Sequence, residues 1–389
     1  MSKSRLAVLV LGAFVSVMGT AAQAAPIDID VVLSLSGGGA FLGKAQQSAL
    51  QHLEDAIAKG AIQAPLPHFV FYDDQSNPQT AIQLATSIVA KKPPVILGST
   101  LVAGCSAMVP LMKNGPVMYC FAPGIHPPAG SFAFSSGVDT RDLATALIRY
   151  WRLSGITKLG LITSTDASGQ DAERNIREIM KLPENKDMTI VGDARFAPTD
   201  VSVTAQIERI KETNPQALIA WTTGGPVATV FKAVSAAGMD IPVGTTNGNM
   251  TYAQMQQYKD FLPKELVIPT SSWMETPAGS GNAALDAAHA PFYAVYKAAA
   301  EKPDSPATLG WDPTLFILQL MGELGPNVTA EQLRAKMAET RSFTGVNGLY
   351  DFVTTPQRGL DERSVIVSHW DPAAGTWTRL SGPGGVPQK

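Results

Sequence analysis

HFVFYDDQSNPQTAIQLATSIVAKKPPVILG, residues 68–98, is the stretch on which the fold turns. HFVFYDD (68–74) is rich in aromatic and β-branched residues and reads as a strand. PQTAIQLATSIVAKK (78–92) carries apolar residues at spacings of three and four and reads as a helix. Asn77 followed by Pro78 marks its start, a capping side chain and then proline at the first helical position. PVILG (94–98) is again a short apolar strand. A strand, a helix and a second strand within about thirty residues form one βαβ unit, which places the two strands parallel in one sheet.

The same alternation extends in both directions. IDIDVVLSL (27–35) precedes a helix expected over 45–60, and VMYCF (117–121), KLGLITST (158–165), MTIVGDARF (188–196), ALIAWTT (217–223) and IPVGTT (241–246) are later strands. DAERNIREIMK, AQIERIKET and VATVFKAVSAAG between them read as helices, the last closed by Gly238 as a C-cap signal. This pattern predicts an α/β protein with parallel sheets covered by helices. It runs twice, with a break near GVDTRD (137–142). After Pro269 it gives way to helical segments (281–299, 311–323, 330–339), then FTGVNGLYDF and a late strand at 364–370. Such a late helical block implies a return to the first lobe. At 389 residues the chain is long enough for two domains.

Charged residues make up 16% and the net charge is −3, so no basic surface for nucleic acid is indicated. Lys3 and Arg5 precede the apolar run Leu6–Met18, and Ala22-Gln23-Ala24 follows it as a small-x-small site. That is a secretory signal pattern over residues 1–24, too short for a membrane span. The chain has two cysteines, Cys105 and Cys120. One falls in the first turns of the helix after PVILG and the other at the end of VMYCF. Both then sit at the carboxyl edge of one sheet, within reach of a disulfide. Export permits oxidation; two buried free thiols fit the same placement. His126 is the one further candidate for a metal ligand nearby, and three such groups of unclear geometry do not define a site.

Gly38-Gly39-Ala40-Phe41-Leu42-Gly43-Lys44-Ala45 approaches a phosphate loop, but Ala45 stands where the magnesium-binding hydroxyl belongs. It reads instead as a flexible first βα loop able to approach a ligand closely. Asp73 and Asp74 could act as paired acids, yet capping of the helix at Pro78 is the plainer role. The histidines are scattered, and no nucleophile elbow is present. The absence of a catalytic constellation favours binding over chemistry, with no cofactor and no metal implied.

The order SLSGGGAFLGK, YDDQSNPQTA, VILGSTLVAGCSAM, PVMYCFAPG, LGLITSTDASGQD resembles the periplasmic leucine/isoleucine/valine-binding proteins, the type I solute-binding components of ABC importers. The resemblance implies a periplasmic protein of two Rossmann-like lobes joined by a three-crossover hinge. It implies lobe 1 from 25–138 with 273–343, and lobe 2 from 139–272 with 344–389. It also implies a ligand closed between the lobes and ABC permease membrane subunits as partners. By position, Val102 and Gly124 stand where the amino-acid binders carry serine and threonine for the ligand carboxylate. Ser168 and Gly224 replace tyrosines, and Thr246 or Asn247 replaces the acid that meets the ligand ammonium. A buried ammonium without a partner is costly. The resemblance therefore points to a small carboxylate, aromatic or apolar, rather than a free amino acid. The anion would rest on amides around Val102–Gly104.

The candidate ligand residues are Phe41, Leu101, Val102, Ala122, Gly124, Ser168, Gly224, Asn247 and Trp273. Phe41, Tyr119, Phe121, Trp221 and Trp273 could build an aromatic wall, although each by itself fits ordinary core packing. Two other functions share these features: a sensor that contacts a receptor or regulator, and an exported hydrolase, which would need a nucleophile beside a base.

Overall fold

The computed structural model describes residues 26–274 and 279–388. The expected leader and cleavage site lie outside them. In the first lobe β1 (Ile27–Leu33), α1 (Ala40–Ala58), β2 (Pro67–Asp73), α2 (Pro78–Val89), β3 (Val95–Gly98), α3 (Val102–Met108), β4 (Val117–Cys120) and β5 (Ala133–Ser135) follow one another. The sheet order is β2-β1-β3-β4-β5 with all pairs parallel.

The second lobe continues with α4 (Thr140–Leu153), β6 (Lys158–Ser164), α5 (Ala167–Ile179), β7 (Thr189–Phe196), α6 (Thr204–Glu212), β8 (Ala217–Trp221), α7 (Val227–Ala236), β9 (Val243–Gly244), α8 (Tyr252–Tyr258) and β10 (Leu266–Ser271). The chain then returns to the first lobe through α9 (Ala283–Ala298), α10 (Ser305–Leu324), α11 (Ala330–Glu339) and the hairpin β11 (Phe343–Gly345) and β12 (Gly348–Tyr350). It ends in the second with β13 (Val365–Asp371) and β14 (Thr376–Arg379). That sheet runs β14-β13-β10-β9-β8-β6-β7. Its last two strands pair antiparallel at the edge of an otherwise parallel sheet, so both lobes carry the expected parallel sheets. A return strand at a sheet edge can pair antiparallel without a crossover helix.

The helix expected from residue 45 begins five residues earlier. Gly37–Gly39 form a single 3-10 turn and α1 follows directly at Ala40. The glycines there serve packing rather than loop flexibility. A Cβ on Gly43 would lie 2.1 Å from the Ser34 carbonyl oxygen, so only glycine lets α1 sit this close to the end of β1. Asn77 caps α2 by accepting the Gln79 amide hydrogen. Asp73 and Asp74 do not cap that helix. Asp73 accepts from the Leu35, Ser36 and Gln75 amides, and Asp74 accepts from the Ser34 and Ser99 hydroxyls. Both acids pin the turns at the carboxyl edge of the first sheet.

Three connections join the lobes: β5 to α4, β10 to α9, and β12 to β13. The third lies later than residue 344, where the second lobe is expected to resume. Phe352 packs on Phe134 of β5, and Gln357 donates to the Ser131 and Ala133 carbonyls, so the chain stays with the first lobe until about Leu360. Buried Asp312 on α10 holds the hairpin there, accepting from the Val346 and Asn347 amides and the Tyr350 hydroxyl.

Candidate ligand site

Cys105 in α3 and Cys120 at the end of β4 are joined by a disulfide with Cα atoms 5.8 Å apart. Both are fully buried in a core cluster with Val32, Ile96, Met108 and Met118. The bridge ties together the two segments that supply one side of the interlobe cleft, 100–103 and 121–124.

The lobes meet across that cleft. The Gly225 amide donates to the Gly38 carbonyl at 2.8 Å. Gly224 has φ +80°, and a Cβ there would stand 2.2 Å from the same oxygen. Beneath this contact lies a cavity of about 60 Å³. The first lobe lines it with Leu42, Leu101, Val102, Phe121 and Gly124, among others, and with Leu309 from α10. The second contributes Thr140, Asp166, Ser168, Trp221, Thr223 and Asn247.

Its polar groups are neutral with one exception. No side chain caps α3, and Leu101, Val102 and Ala103 at its start line the cavity. Asn247 is 1% exposed, and its Nδ2 makes no hydrogen bond among the described residues, while its Oδ1 accepts from Thr246. Ser168 and Thr223 share one hydroxyl hydrogen bond at 2.8 Å. Thr100 is committed elsewhere, donating to Gln46 and accepting the Ser34 amide. Asp166 is the exception, and its Oδ1 is engaged in capping α5, accepting the Gly169 amide and the Ser164 hydroxyl. Among the described residues no Lys, Arg or His side chain lines the cavity. Neutral polar groups thus converge on it, and the walls between them are apolar.

Of the residues singled out from sequence, Leu101, Val102, Ala122, Gly124, Ser168 and Asn247 come together on this cavity. Phe41 does not line it. One helical step away from Leu42, it packs edge-on against Tyr258 and faces an outer groove. Gly224 forms the lobe contact above the cavity. Trp273 is buried at the second crossing, donating to the Thr270 hydroxyl, and borders a different groove. Phe121 and Trp221 supply the aromatic wall, whereas Tyr119 belongs to the core beside Phe134. Leu42, Thr140, Asp166, Thr223 and Leu309 went unnoticed in the sequence. Asp166 could have been found, because an acid directly before a helix that follows a strand is an N-cap signal. Leu309 had no local signal, since it arrives from a helix far along the chain. Among the described residues no group of three or more His, Cys, Asp or Glu is placed to hold a metal ion. No described helix is long and apolar enough to cross a membrane.

Two α/β lobes joined by three connections and shut over a small cavity define a protein that encloses a solute. The chain belongs to the periplasmic binding protein family, whose model it matches over residues 26–373. Solved structures share the fold at low identity. An extracellular ligand-binding receptor from Rhodopseudomonas palustris HaA2 is 19% identical at a TM-score of 0.79, covering 91% of this chain and 99% of its own. An ABC-transporter solute-binding protein from R. palustris, in complex with benzoate, is 20% identical at 0.74, covering 93% and 97%. The branched-chain amino-acid binding protein LivJ from Streptococcus pneumoniae, with isoleucine, is 19% identical at 0.75, covering 91% and 98%. No curated protein matches the chain.

Proposed function

We propose that this chain is a periplasmic solute-binding protein that captures a small aromatic or apolar carboxylate and delivers it to the membrane subunits of an ABC importer. The supporting observation is the lining. Phe121, Trp221, Leu42, Leu101 and Leu309 form apolar walls, and the polar groups between them are neutral hydroxyls and amides apart from Asp166. A carboxylate can be stabilised by amides and hydroxyls alone, since hydrogen bonds to charged groups contribute ~1.5–3 kcal/mol each. In support, a solute-binding protein of this fold from R. palustris was solved in complex with benzoate.

A second reading rests on Asp166. It is the single acid in the lining among the described residues, and an α-ammonium placed against it would make a free amino acid the ligand. Capping of α5 engages only Oδ1 of Asp166, and its Oδ2 makes no hydrogen bond among the described residues, so the acid remains open to such an ammonium. A thermal-shift screen of aromatic and aliphatic carboxylates beside amino acids tests the choice, because a solute that binds only the native state raises the melting point. The first reading expects the largest shifts from acids lacking an α-amino group. Larger shifts from amino acids would establish the second.

A further inference from the structure

His126 lies on the segment between β4 and β5 in the first lobe and reaches across to the second. Its Nε2 stands 2.9 Å from Asp171 Oδ1 on α5, and its Nδ1 stands 3.2 Å from Asp139 Oδ2, the cap of α4 at the first crossing. The Asp171 side chain is 4% exposed, whereas that of His126 is 45% exposed. Asp171 Oδ1 also accepts from Arg174 and Asn175, and its Oδ2 is buried without a hydrogen-bond partner among the described residues. Arg358, held on the Ile125 carbonyl of the first lobe, sits 3.4 Å from Asp139. Val102, Gly124 and Ala167 line both the ligand cavity and the depression that contains His126, Asp171 and Arg174. The ion pairs therefore close the outer wall of the cavity.

We propose that His126 is a positioning residue for ligand capture: as an imidazolium it ties the first lobe to Asp171 and Asp139 and holds the cleft shut over the solute. Opening the lobes separates His126 from Asp171 and leaves a nearly buried carboxylate with Arg174 and Asn175 alone. The latch does not depend on which solute is enclosed, but it rests on closure of the two lobes around one.

The latch is sensitive to pH. Hydrogen bonds to Asp139 and then Asp171 push the His126 pKa up to about 9 in the closed form. Freed by opening, the imidazole returns toward ~6.5. The closed form thus holds the proton more tightly. Its advantage is fully present below about 6.5 and is lost as pH rises through about 9. Because His126 is well exposed, solvent screening reduces the effect to roughly three- to tenfold in the closed-to-open ratio. Arg174 and Arg358 share its two carboxylate partners, and Asp142, lifted to about 6 by burial and by Asp139, acts on Asp139. Asp304, lifted to about 7 by burial, accepts the Tyr252 amide at a separate lobe contact and titrates in a lower range.

Single-molecule energy transfer between dyes on the two lobes reads the closed fraction, with benzoate and separately with leucine as probes. In the natural chain the closed fraction should fall three- to tenfold in ratio to the open from about pH 6 to about pH 9.5. His126→Gln should be less closed near pH 6 and should lose the upper part of the profile. His126→Arg, a permanent cation, should stay closed across the range. Identical profiles for the natural chain and His126→Gln overturn the proposal, as does a persistent fall in His126→Arg. Which probe closes the lobes reports on the carboxylate reading, and the pH profile reports on the latch.

Discussion

Replacing both cysteines, Cys105→Ala with Cys120→Ala, removes the bridge between α3 and β4. The residues are 15 apart. A closed loop of that size stabilises by about 3 kcal/mol in the chain-entropy model. Both sulfurs are fully buried, so the double variant also loses packing in the cluster around Met108 and Met118. Reducing the natural chain isolates the first contribution, since the sulfur atoms stay. The two lobes need not unfold together, so the transition to follow is that of the first lobe. For a lobe of under about two hundred residues, 3 kcal/mol corresponds to roughly 6–12 °C in Tm. Calorimetry of oxidised and reduced protein should show this shift in one transition and leave the other in place. The double variant should fall at or below the reduced chain. Because the bridge fixes the segments carrying Leu101, Val102, Ala122 and Gly124, solute affinity should fall as well. Equal melting for oxidised and reduced protein would refute the reasoning.

Gly224→Ala places a methyl group 2.2 Å from the Gly38 oxygen, in a backbone region that disfavours side chains. Losing the Gly225–Gly38 hydrogen bond alone costs ~0.5–1.5 kcal/mol, so calorimetry should show affinity reduced at least two- to tenfold, with small-angle scattering less compact under solute. Leu42→Ala should weaken binding of the preferred solute by roughly tenfold or more through lost apolar contact, whereas Phe41→Ala should leave affinity nearly unchanged; the opposite order would mean that α1 starts later than Ala40.

Residues 68–98 made the architecture readable because strand and helix leave different apolar periods, and Asn77 and Pro78 mark a boundary that the structure keeps. Cys105 and Cys120 could be placed together for the same reason: successive parallel strands end at one edge. What could not be read was side-chain direction. Three consecutive glycines suggested a loop, yet they let α1 begin early, which turns Leu42 rather than Phe41 into the cavity. The late return of the chain was visible, but not that its aromatic residues Phe352 and Tyr350 would keep it on the first lobe past 352. His126 had no motif at all, because its partners come from the other lobe.

The central claim is that this cavity selects a small acid without an α-amino group. Isothermal calorimetry at neutral pH with benzoate, related aromatic and aliphatic carboxylates, and leucine, isoleucine and valine tests it directly. At least one carboxylate should bind tenfold or more tightly than any of the three amino acids, the difference set by an ammonium that only a capping acid, Asp166, could meet. Tighter binding of leucine, isoleucine or valine than of every such carboxylate would contradict the account and hand Asp166 the role of ligand partner.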